Sequence, residues 1–151
     1  MNNIILSGRL VDNLKIGQSK KSALARIAVK RPFPYSKDIN GNEITDFFNL
    51  KFLGFNKVDN ANKLLFRGIK INVKGILCHD SWRDESDAWH DFSYIIVEDW
   101  EFCESMEINE SMRNKVYNNN FTVKEEKKDD YMNVDGFSRV QPSEGYYIPF
   151  E

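Results

Sequence analysis

Apolar and polar positions alternate with a period of two through much of the first hundred residues, and the alternation breaks at regular intervals. Residues 3–12 make the first strand candidate, an apolar run with Gly8 inside it and Arg9 after it. Glycine weakens a strand interior, so its presence points to a bulge or to a corner where a small barrel turns. Residues 13–21 are polar and read as a loop. In residues 22–31, Ala23, Ala25, Ile27 and Val29 share one face while Leu24, Arg26, Ala28 and Lys30 share the other. That is the period of a half-buried strand whose outer face carries cations. Pro32 and Pro34 end it, and Tyr35 to Thr45 form a polar loop with an Asn40-Gly41-Asn42 turn. A third strand at 46–54 is dense in aromatics. Residues 57–66 place apolar side chains at 58, 61, 64 and 65, a helical spacing that Arg67-Gly68 closes. A fourth strand at 69–78, a loop from His79 to His90 and a fifth strand at 92–103 complete the patterned part.

Three strands, one helix, then two strands is the order of the oligonucleotide-binding (OB) barrel, a five-stranded Greek key with its helix between strands three and four. The predicted class is therefore all-β with one helix over a domain at 1–103. Beyond it the character changes: Asn118-Asn119-Asn120, the charged run Lys124 to Asp130, few aliphatics and no sustained period. Such a composition buries too little surface to offset the entropy of ordering, so 104–151 is expected to be a disordered, flexible acidic tail. Its end turns apolar again at Tyr146-Tyr147-Ile148-Pro149-Phe150-Glu151, a tip better suited to a partner than to a core.

Charge divides the same way. Residues 1–103 hold 15 Lys and Arg against 13 Asp and Glu, and 104–151 hold 6 against 10, for the net charge of −2. Eight of the 15 cations lie between Arg9 and Lys37, where Asp12 is the one acid. A local basic face of this kind is what contact with a phosphate backbone needs. No apolar run approaches a membrane span and no signal pattern opens the chain, so a cytoplasmic protein with no membrane partner is expected. The two cysteines, Cys78 and Cys103, fit a reduced compartment as small core residues or as a pair. His79-Asp80 and His90-Asp91 sit at the two ends of one loop, where turn chemistry accounts for the aspartates. No phosphate-binding glycine loop, nucleophile elbow or carboxylate cluster is present, so neither catalysis, metal nor cofactor is expected.

Binding a single strand without reading its sequence takes cations along a groove and aromatic faces for bases. Phe33 follows Lys30-Arg31-Pro32 at the end of the second strand, Phe47 lies in the third, and Trp82 stands in the polar loop. The phosphate candidates are Lys20, Lys21, Arg26, Lys30, Arg31, Lys51, Lys57, Lys70 and Lys74. Arg9 suits either a phosphate or an ion pair. Phe48, Phe52 and Trp100 are expected in the core, and Trp89 is expected to pack across the hairpin.

The order of Ile4-Ile5-Leu6-Ser7-Gly8-Arg9, then Ala28-Val29-Lys30-Arg31-Pro32-Phe33, Thr45-Asp46-Phe47 and Lys70-Ile71-Asn72-Val73-Lys74-Gly75 resembles the bacterial and phage single-stranded DNA-binding protein family over residues 1–103. The resemblance implies base stacking at Phe33, Phe47, Trp82 and a position matching Leu53 or Phe55. Leu53 stands where an aromatic is usual, and Phe55 or Phe52 is the substitute. Ile148-Pro149-Phe150 matches the family's partner-docking tip, although Tyr146 and Tyr147 replace acids and Glu151 follows the phenylalanine. The implied protein is a non-catalytic homo-oligomer, tetramer or dimer, and the departures, a divergent sequence with a shortened tail and an altered tip, point to a phage, plasmid or mobile-element copy. It would coat single-stranded DNA in replication, recombination or repair and recruit replication and repair proteins through its tip. The rival reading is an OB-fold adaptor, primosome-like, that does not bind DNA; RNA is a third possibility.

Overall fold

Alternation along the chain becomes a closed sheet because each strand has one apolar row to bury. The computed structural model describes residues 1–122. Its elements in order are β1 (Ile4–Leu10), β2 (Lys15–Ile16), β3 (Ser22–Lys30), β4 (Thr45–Leu53), α1 (Phe55–Leu64), β5 (Lys70–Arg83), β6 (Trp89–Phe102) and α2 (Met106–Thr122). The strands follow the order β1-β5-β6-β4-β3-β2, and a β1–β3 pairing closes the ring. Five of the strands are those expected; β2 is a two-residue extension of the hairpin into β3.

Closure depends on β1 changing partner. Residues Ile4 to Arg9 pair antiparallel with β5, and Arg9 and Leu10 also pair with Ala28 and Ile27 of β3. Gly8 sits at this corner, where a Cβ would run into the Ala28 carbonyl. The bulge itself lies elsewhere, between Lys74 and Gly75 of β5, opposite β6. The interior is filled by Leu10, Ala23, Ala25, Ile27, Leu50, Phe52, Ile71, Val73, Ile95 and Val97, with Val58 and Ala61 of α1 plugging one end. Phe48 and Trp100 pack against this core as expected.

Three expectations are corrected. First, β3 is buried on both faces along most of its length, so Leu24 and Arg26 are covered rather than solvent-facing. Second, the segment His79 to His90 is mostly strand, not loop: β5 and β6 pair continuously from Ile71–Phe102 out to Arg83–Trp89, forming an arm that projects beyond the barrel. Polar residues on both faces of His79-Asp80-Ser81 hide the strand period there. The true turn is short, with Asp84 Oδ1 accepting from the Ser86 and Ala88 amides at 2.9 and 3.0 Å. Third, residues 106–122, expected in the flexible tail, form α2. Ser105 opens it, accepting from the Ile108 amide. Glu104 bonds Arg9 at 2.5 Å, and the Arg113 guanidinium donates to the Lys63 and Leu64 carbonyls that end α1. The remainder of the tail, including Ile148, Pro149 and Phe150, lies outside the described residues.

Candidate nucleic-acid interface

Strands β3 and β4 carry four of the predicted side chains, Arg26, Lys30, Phe47 and Lys51. Ladder pairing puts Arg26 opposite Asn49, Ala28 opposite Phe47, and Leu24 opposite Lys51. The Arg26 guanidinium lies over the Phe47 ring, 5.0 Å from its centroid. Arg26 is only 6% exposed, whereas Phe47 is 37% exposed, so the cation supports the ring from below and the ring presents its surface. Lys51 is 4% exposed and sits 4.9 Å from the centre of Tyr94 on β6. Burial lowers its ammonium pKa, with the charges of Asp80 and Cys78 opposing the shift. Tyr94 responds in the opposite sense: burial, then a hydrogen bond with Asp80, pushes its phenol up to about 12. Lys51 is thus a buried strut under the face rather than a group that reaches a phosphate.

The arm continues the face. An open cleft lies between β4 and the arm, lined by Phe47, Asn49, Asp91, Phe92 and Tyr94 among others. The Asn49 amide clips its two sides by donating to the Ser93 carbonyl at 2.9 Å. Phe92 and Tyr94 stack at 5.5 Å, and Trp82 packs against that pair. Trp82 is also stacked on His90, with ring centroids 5.6 Å apart and planes 21° from parallel. His90 Nε2 is 2.7 Å from Asp84 Oδ2, and this bond, followed by one from Ser86, holds the Asp84 carboxyl far below its ordinary range. The result is one row of rings in which the exposed Phe47 and the half-buried Trp82 and His90 flank Phe92 and Tyr94, which are themselves buried at 5% and 8% exposure. Phe92 and Tyr94 were not singled out by sequence, and His90 was read only as one end of a loop; their every-second-residue spacing on β6 is the signal that marks one face of a strand.

Cations stand at both ends of the β3–β4 wall. Lys30, Arg31 and Phe33 lie at one end, and Phe33 is 89% exposed. Lys30 is paired with Glu43 at 2.7 Å, and Arg31 makes a bidentate pair with Asp46 at 2.7 and 2.8 Å. Lys20 and Lys21 stand exposed at the other end, beside Gly54 and the exposed Phe55 that starts α1. Lys57, Lys70 and Lys74 are not brought to this wall. Lys57 donates to the Val97 and Glu98 carbonyls at 3.0 and 2.8 Å. Lys70 and Lys74 lie on the β1–β5–β6 wall, where Lys74 faces Asp99 across the ladder. Arg9 resolves as an ion pair with Glu104. Cys78 and Cys103 are free thiols. Trp89 is exposed on the arm's opposite face with Arg83 4.6 Å above its ring.

Comparison with known proteins agrees with the barrel fold. The model of the single-strand binding protein family matches residues 1–103. No curated protein matches the chain. Among solved structures, one similar to it is described as Plasmodium falciparum SSB complex with ssDNA, at 25% identity and a TM-score of 0.57, covering 69% of this chain and 96% of that one. With the barrel, its closing corner and the matched span in agreement, the chain belongs to the single-strand binding protein family.

Proposed function

We propose that this protein binds single-stranded DNA without sequence preference along the β3–β4 wall and the arm, and does so without catalysis. The observation that carries the reading is the row of rings from the exposed Phe47 across the buried Phe92–Tyr94 pair to the half-buried Trp82, flanked by cations and underlain by Arg26 and Lys51. Each stacked base contributes about 1–3 kcal/mol whatever its identity. A similar protein solved with single-stranded DNA supports the same use of the fold. In the cell the protein coats strands exposed in replication, recombination or repair. Its tip, Ile148, Pro149 and Phe150, recruits replication or repair proteins. A second copy joins along β1, whose Ile5 side chain is exposed.

Titration with poly(dT) tests the reading through tryptophan emission. Saturable quenching that weakens in Trp82→Ala supports it; a folded wild type with no quenching at low salt removes it. One observation favours the adaptor instead: Lys30 and Arg31 already have carboxylate partners. The adaptor predicts no oligonucleotide binding at any salt concentration. Deleting residues 146–151 tests the tip separately, since unchanged capture of replication proteins excludes it.

A further inference from the structure

Trp82 and His90 face each other across the arm as a direct cross-strand pair. The imidazole lies nearly parallel to the indole at 5.6 Å and is tied in place by Asp84 at 2.7 Å. Asp84 is itself fixed, because its other oxygen accepts from the Ser86 amide, the Ser86 hydroxyl and the Ala88 amide. The turn therefore anchors a carboxylate, the carboxylate anchors a ring, and the ring covers one face of the tryptophan. The indole Nε1 is buried and has no hydrogen-bond partner among the described residues. Trp82 consequently offers a ligand its π-surface and not its donor.

We propose that His90 is the positioning residue for Trp82: held by Asp84, it sets the tilt at which the indole meets a base. This rests on the DNA-binding reading above. The contrasting account is a cross-strand aromatic pair that only stabilises the arm.

The test uses full-length protein carrying Trp89→Phe, so that Trp82 dominates the arm's emission, titrated with a dT oligonucleotide. His90→Ala should weaken binding about fivefold or more and reduce the quenching amplitude, as expected for a lost share of one stacked base. His90→Phe, which keeps a flat ring at the same place, should restore both. Asp84→Asn should fall between them. A His90→Ala protein that melts earlier but keeps its affinity and amplitude overturns the proposal, as does a folded His90→Phe that restores neither. If wild type binds no oligonucleotide, the DNA reading fails on its own. The indole N–H resonance of Trp82 in free protein then still decides: a shift in His90→Ala that His90→Phe reverses supports positioning, and an unmoved resonance refutes it.

Discussion

Gly8→Ala tests whether barrel closure holds the binding wall in place. At Gly8 the first strand faces Ile71 of β5, and one residue later Arg9 faces Ala28 of β3. An added Cβ would lie hard against the Ala28 carbonyl oxygen and 2.9 Å from Ile27 Cγ1. Neither obstacle is the loose end of a side chain: the carbonyl belongs to the β3 ladder, and Ile27 is fully buried. One strand must move. Overpacking of this kind costs about 1–3 kcal/mol, and losing a ladder hydrogen bond adds about 1. A candidate for that loss is the Val11 amide to Arg26 carbonyl bond at 2.9 Å. The expected destabilisation is about 2–4 kcal/mol, set against a usual domain stability of about 5–15. Urea unfolding followed by circular dichroism reads it as a lower midpoint at unchanged slope. Gly41→Ala is the control, since nothing lies within 4 Å and only its φ of 83° resists; it should cost about 1 kcal/mol. Arg26 rides on the displaced strand, so oligonucleotide affinity should fall in the folded Gly8→Ala protein as well. A loss of stability below about 0.5 kcal/mol would refute the closure argument.

Four further outcomes follow from contacts described above. Phe47→Ala should weaken binding to a labelled dT oligonucleotide by about 1–3 kcal/mol, read by fluorescence anisotropy. Lys20→Ala and Lys21→Ala should each reduce the log–log salt slope by about 0.7, whereas Lys51→Met, altering a buried strut, should leave the slope unchanged. Glu104 is held below its ordinary value near 4.5, first by its hydrogen bond with Arg9. A depressed carboxylate stabilises the fold above the unfolded-state pKa and stops doing so as pH falls through the folded one. Wild type should therefore lose more stability than Glu104→Gln between roughly pH 5 and 3, measured by thermal melting. Arg113→Met removes the cap on the Lys63 and Leu64 carbonyls; amides of α2 should exchange faster, at a cost of about 1–2 kcal/mol.

The barrel was legible because its information is local. Alternation in 22–31 and 69–78, the helical spacing at 57–66 and a glycine inside the first strand each follow from the period of the element they form. The arm was not. Its strands leave the barrel, so no apolar row is needed on both sides, and His79 to Arg83 carry polar groups that read as loop. The second helix escaped for a related reason. Its anchors to the barrel are scattered contacts from Glu104, Met112 and Arg113 rather than an apolar stripe, though Ser105 with Glu107 in the first turn was a usable start signal. At the site, sequence supplied Phe47, Trp82 and Arg26. It could not separate Lys20 and Lys21, which stand free of the wall's acids, from Lys57, which caps backbone carbonyls forty residues away in sequence. Nor could it see that Lys51 and Arg26 lie beneath rings, because the partner faces belong to other strands.

The match to the family ends at residue 103, which makes that position the obvious place to cut the chain for isolated-domain work. The contacts of α2 argue against it. A fragment ending there would keep Arg9 but lose Glu104, leaving the guanidinium to the Gly68 carbonyl alone of its two oxygen-bearing partners. It would also lose Arg113, uncovering the last carbonyls of α1 and the face of Phe66. The smallest faithful unit of this protein is therefore longer than its recognisable ancestry, and a fragment for calorimetry or spectroscopy should run through α2 to residue 122.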